Sequence, residues 1–146
     1  MSGLAALLAG RRPPGVYLWQ SHAAASDVQH ATEKARWTPF CVDGRNAAVK
    51  SEVLARIAAT CGFPEQPAAD WAALADGLMD LSWAPAERGY LLFYDGWGML
   101  AWTEPQSWRE ARAVFDGVCA RWSGTPTPMA VLLRGPGPVD DLPDLR

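Results

Sequence analysis

Two unbroken apolar runs, Tyr90-Leu91-Leu92-Phe93-Tyr94 and Met129-Ala130-Val131-Leu132-Leu133, set the tightest limit on the fold. A strand sends alternate side chains to opposite faces, so a run without polar residues must be covered on both. Such strands belong inside a parallel sheet, and parallel strands need helical crossovers between them. The chain supplies the crossovers. A short β-type run, Val16-Tyr17-Leu18-Trp19, precedes a predicted helix over 21–36, with Val28, Ala31 and Ala35 towards the core and Ser26 with Gln29 as a capping box. Pro39-Phe40-Cys41-Val42 reads as a second strand, stopped by Asp43-Gly44. Asn46 is the expected N-cap of the next helix, which carries Val49, Val53, Leu54, Ile57 and Cys61 at helical spacing and stops at Gly62. Another helix follows over about 68–83. The Gly- and Trp-rich segment 96–105 reads as a loop. Ser107-Trp108-Arg109-Glu110 fits a capping box, ahead of the stripe Trp108, Ala111, Phe115, Val118 and Trp122.

The resulting order is β-α-β-α-α-β-α-β. It predicts an α/β fold, a small parallel sheet of three to four strands packed with helices. Residues 1–15 are expected to be a flexible lead, 16–138 a single domain and 139–146 a loose tail. A length of 146 residues with 49% hydrophobic content suits one real core. The 8 Trp are expected to serve mainly as core or rim anchors. No apolar run approaches the roughly 20 residues that span a bilayer. Leu4–Ala9 precedes Arg11-Arg12, the reverse of a secretory signal, so the expected location is cytoplasmic. Cys41, Cys61 and Cys119 are odd in number and widely spaced, which suggests buried reduced thiols rather than a metal set or a disulfide framework.

The segment Phe63-Pro64-Glu65-Gln66-Pro67-Ala68-Ala69-Asp70-Trp71-Ala72-Ala73-Leu74-Ala75-Asp76-Gly77-Leu78-Met79-Asp80-Leu81-Ser82-Trp83 carries the functional signal. Two prolines punctuate a turn, and Asp70 stands where a carboxylate would accept from the first free N–H groups of a helix. Trp71, Leu74, Leu78 and Leu81 share one stripe and should face the core. Ala69, Ala72, Ala73, Asp76 and Asp80 share the opposite face, which has small side chains, two carboxylates and no Lys or Arg. An ordinary solvated helix face mixes signs at i,i+4. This face is either a solvated surface with poor charge mixing or a binding surface for something basic. Between Arg56 and Arg109 the segment holds Glu65, Asp70, Asp76, Asp80, Glu87, Asp95 and Glu104 against Arg88 alone, a net of −6. The whole chain is only −3, so the asymmetry is hidden in the total. A local acidic surface attracts cationic partners and repels nucleic acid backbones.

The same segment resembles the signature of the barstar family, small intracellular inhibitors of secreted ribonucleases of the barnase type. The similarity in element order extends from about Thr38 to Arg134, and residues 16–37 would be an N-terminal β-α extension. The resemblance implies a barstar-like fold and an acidic helix that plugs a ribonuclease active site, its carboxylates standing in for RNA phosphates. Asp76 matches the family's central helix Asp, Pro64-Glu65 its Pro-Glu, and Ala73-Leu74 its Ala-Leu, while Asp70 replaces an Asn at the helix start. Elsewhere the pattern differs. Gln66-Pro67 replaces an aromatic pair, Ala68 a Gly, Ala72 an Asp, and Ala75 an interface Trp. Asp116 lies near the position of an acid from the family's later helix.

The partner-binding set implied by these readings is Asp76, Asp80, Ala72, Ala73, Ala69, Glu65, Gln66 and Asp70, with Trp97, Trp102 and Asp116 as a rim. Trp97, Met99 and Trp102 are candidate replacement anchors, and a core flap over the sheet is the other reading of all three. The expected partner is a secreted or toxin-type basic ribonuclease, with no direct nucleic acid or membrane contact and a monomeric free state. A non-inhibitory barstar-like interaction domain is the alternative. Nothing points to an enzyme. His22 and His30 are isolated, there is no P-loop or nucleophile elbow, and Asp76 with Asp80 lacks a third group. No catalytic residue, cofactor or metal is expected.

Overall fold

A computed structural model of the chain describes residues 2–138 and 140–146. The elements run α1 (Ser2–Leu8), β1 (Val16–Leu18), α2 (Ala25–Lys34), β2 (Trp37–Asp43), α3 (Lys50–Thr60), α4 (Trp71–Asp80), β3 (Gly89–Asp95), α5 (Gly98–Thr103), α6 (Pro105–Ser123) and β4 (Met129–Arg134). The four strands form one parallel sheet in the order β1-β4-β3-β2. The two apolar runs are its inner strands, buried along almost their whole length. The fold is α/β, as the alternation of elements requires.

Each face of the sheet has its own apolar cluster. On one, Phe40, Val42, Tyr90, Leu92, Tyr94, Met129, Val131 and Leu133 meet residues of α3, α4, α5 and α6. On the other, Leu91, Phe93, Ala130 and Leu132 meet Tyr17, Trp19, Val28 and the leucines of α1. Alternation along β3 and β4 assigns their residues to the two clusters in turn. Phe93 also meets the Trp19 ring edge-on at 5.9 Å.

The ends of the chain correct the expectation of loose termini. Segment 1–15 contains α1, whose Leu4, Leu7 and Leu8 are buried in the second cluster. Seven residues are too few for an isolated helix, so packing rather than propensity forms it. In the tail, Leu145 is buried and Asp144 bridges to Leu18 beside β1. Val139 lies outside the described residues.

Helix starts were less legible. α2 begins after Ala24 and α3 after Val49, neither with a side-chain cap, so Ser26 and Asn46 do not cap. The expected 96–105 loop contains α5. α6 starts at Pro105, two residues before the anticipated box, because proline suits a first helical turn. Ser107 instead donates to Glu104 Oε1 (3.0 Å), which also accepts from the Lys50 N–H (2.9 Å).

Cys61 and Cys119 are buried, and burial pushes both thiols up to about 12. Native protein treated with a maleimide at neutral pH should leave both unmodified, while half-buried Cys41 reacts first. Peptide mass mapping reads the order.

Candidate functional site

The site is built on α4 and the segment that precedes it. Asp70 is the N-cap, and its Oδ1 accepts from the Ala73 N–H at 2.8 Å. Trp71, Leu74, Leu78 and Leu81 are all buried, as their spacing predicts. Leu81 ends the helix with φ 48°. A leucine in left-handed backbone costs about 1–2 kcal/mol. Burying its side chain is worth a similar amount, about 1.5–3 kcal/mol.

Two indoles fix the helix from either side. Trp122 of α6 donates to Leu78 O (2.8 Å). Trp83, after the helix, donates to Cys61 O (2.9 Å) at the end of α3. Phe63 meets the Trp83 ring edge-on at 5.5 Å. Phe63 also lies so close to α4 that a Cβ on Gly77 would fall 2.2 Å from its ring. Gly77 therefore lets segment 63–69 run against the helix.

Between that segment and α4 lies a groove. Phe63, Pro64, Pro67, Ala68 and Trp83 supply its apolar lining, and Glu65, Asp76 and Asp80 its charge. Ala69, Ala73 and Gly77 keep the helix side low. Asp76 and Asp80 are exposed, and neither forms an ion pair or a side-chain hydrogen bond among the described residues. Arg112 is engaged with Asp116, Asp140 and Asp141, and Arg134 with Asp95, well away from this strip. The result is a concave strip with one sign of charge and no internal counterion.

Of the anticipated set, Glu65, Asp76, Asp80, Ala69 and Ala73 come together on this groove. Ala72 is exposed on the same helix. Asp70 is exposed but committed to capping, and the Gln66 amide donates to Phe63 O (2.9 Å). The rim is not assembled as expected. Trp97 is only 2% exposed and donates to Gly135 O at 3.1 Å, so it is a core residue. Trp102 is 55% exposed but borders a different depression, with Trp108, Arg112 and Asp140. Asp116 is paired with Arg112 at 3.5 Å and does not line the groove. Sequence reasoning missed Phe63, Pro67, Gly77 and Trp83 as groove walls. A glycine inside an otherwise regular amphipathic helix was the available signal.

Neither a metal-holding group of three or more His, Cys, Asp or Glu nor a helix able to cross a membrane occurs among the described residues. What the arrangement offers is an exposed, carboxylate-bearing concave face on an α/β scaffold.

Residues 37–134 match the family described as Barstar (barnase inhibitor). The match runs from the first residue of β2 to the last of β4 and contains the whole groove. The chain belongs to this family. A comparison with curated proteins found no match. α1, β1, α2 and the C-terminal segment lie outside the matched region.

Two substitutions separate scaffold from surface. Gly77→Ala, which favours an ordinary helix by about 1 kcal/mol, should here destabilise by about 1–3 kcal/mol through the clash with Phe63. Asp76→Asn should leave stability within about 0.5 kcal/mol of the parent. Urea unfolding measures both.

Proposed function

We propose that this protein inhibits a basic ribonuclease, or a related basic toxin, by placing the α4 face and the 63–69 segment over the enzyme's cationic cleft. The observation that carries the reading is the pair Asp76 and Asp80, exposed on a helix of small side chains and left without an internal counterion. The family's description as barnase inhibitors supports the class of partner. A ribonuclease cleft holds cations to bind phosphate, so carboxylates offered by a preformed helix compete directly with RNA. The partner-contacting residues are Asp76, Asp80, Glu65, Ala69, Ala72 and Ala73, with Gln66 and Asp70 at the edge. The protein acts as a binding partner rather than a catalyst, works in the cytoplasm and is monomeric when free.

A second reading has its own support. The family's aromatic and acidic anchors are replaced at Gln66, Pro67, Ala72 and Ala75, and Trp102 does not line the groove. Interfaces owe much of their affinity to such aromatic anchors. On this reading the chain is a non-inhibitory interaction domain that keeps the scaffold but binds another partner.

The experiment is a titration of a barnase-type ribonuclease with the protein, read by residual RNA cleavage and by calorimetry. In the barnase–barstar complex, close charge pairs couple by about 1.5–7 kcal/mol, a measured range for the family's namesake. Asp76→Lys should therefore weaken binding by at least about 2 kcal/mol, roughly thirtyfold, and raising salt should weaken the parent complex. Inhibition unaffected by Asp76→Lys removes the helix face from the mechanism. Absence of both binding and inhibition favours the second reading.

A further inference from the structure

The C-terminal segment, outside the family match, touches both layers of the fold. On α6, Asp140 accepts from the Trp108 indole (3.0 Å) and from Arg112 (2.6 Å), and Asp141 accepts from Arg112 (2.9 Å). The hydrogen bond from Arg112 holds the Asp141 carboxyl below its usual range. Leu142 packs on the first apolar cluster. The chain then reaches the far side. The Leu18 N–H donates to Pro143 O and the Leu145 N–H donates to Leu18 O, both at 2.9 Å. Arg12 donates to Asp144 O (3.4 Å), and Leu145 is buried at 4% exposure among the leucines of α1. A Cβ on Gly3 would fall 2.9 Å from the Arg146 backbone, so α1 sits directly against this segment.

The register of β1 shows what these contacts close. Gly15 O accepts from the Val131 N–H, and the Trp19 N–H donates to Leu133 O. Parallel pairing alternates, so Gly15, Tyr17 and Trp19 bond to β4 while Val16 and Leu18 face outward. β1 is thus a sheet edge of three residues, and the C-terminal segment satisfies both backbone groups of Leu18. An unpaired edge of this kind is left to solvent unless something covers it.

We propose that residues 140–146 form a clasp that holds the N-terminal layer on the sheet, and that its release opens α1 and the β1 edge as a local unit while the α4 face stays in place. Two features make the opening local. Residues 135–138 are anchored independently, because a Cβ on Gly98 would meet Pro136 O at 1.9 Å and one on Gly137 would meet the Trp97 ring at 2.3 Å. The α4 helix is fixed by Trp122 and Trp83, neither of which touches the clasp through a hydrogen bond.

The test is amide hydrogen exchange on the full chain, on a variant ending at Val139 and on Leu145→Ser. The reporters are Leu18 for the edge, Ala9 and Arg11 for α1, and Leu74 and Leu81 for α4. Both variants should speed exchange at Leu18, Ala9 and Arg11 by about tenfold or more, the scale of one lost hydrogen bond with its packing. Leu74 and Leu81 should change by less than about twofold, because local opening leaves the rest of the fold protected. Unchanged exchange at Leu18 overturns the clasp. Equal acceleration at all five amides overturns the local opening. If the shortened chain does not fold, Leu145→Ser decides, since it removes one anchoring side chain and leaves the acidic grip on Arg112.

Discussion

Everything in this fold depends on two adjacent strands that are apolar on both faces. β3 and β4 cannot be satisfied by a single layer of helices. The chain therefore brings α3, α4, α5 and α6 to one side and α1, α2 and Trp19 to the other. The family match covers the sheet core and the first layer. In this chain the second layer comes from segments outside the match, and Phe93 and Leu132 are fully covered only because those segments are present.

The same constraint positions the candidate site. α4 must turn Trp71, Leu74, Leu78 and Leu81 inward, which turns Asp76 and Asp80 outward. The helix is then held at Leu78 O by an indole from α6, and Trp83 ties the residues after it back to α3. The carboxylates take no part in that support. Segment 63–69 is brought against the helix by a single missing side chain, at Gly77. A groove results whose charged members face solvent and whose apolar members belong to the scaffold.

Much of this was written in local patterns. Unbroken apolar runs gave the parallel sheet, and the 3.6-residue spacing of α4 gave both its buried stripe and its acidic face. Asp70 was legible as a cap because its place before an apolar periodicity has few other uses. Several of the misses come from contacts that sequence spacing does not display. α1 and Leu145 are ordered by contacts with residues far away in the chain, which no window of sequence displays. Trp97 was ambiguous because an indole in a Gly-rich segment serves a core or a rim equally well, and only the carbonyl of Gly135 decides. Asp116 matched an acidic position by proximity, yet Arg112 on the same helix pairs with it.

Because Asp76 and Asp80 bear no part of the scaffold's weight, the proposed contact residues and those that define the fold overlap little, Asp70 aside. Mutational drift on the outer face of α4 then meets little resistance from folding. A lineage built this way can exchange one target for another by rewriting a few exposed positions, retaining the same interior. The small residues at Ala72 and Ala75, where the resemblance implies family anchors, fit such a history.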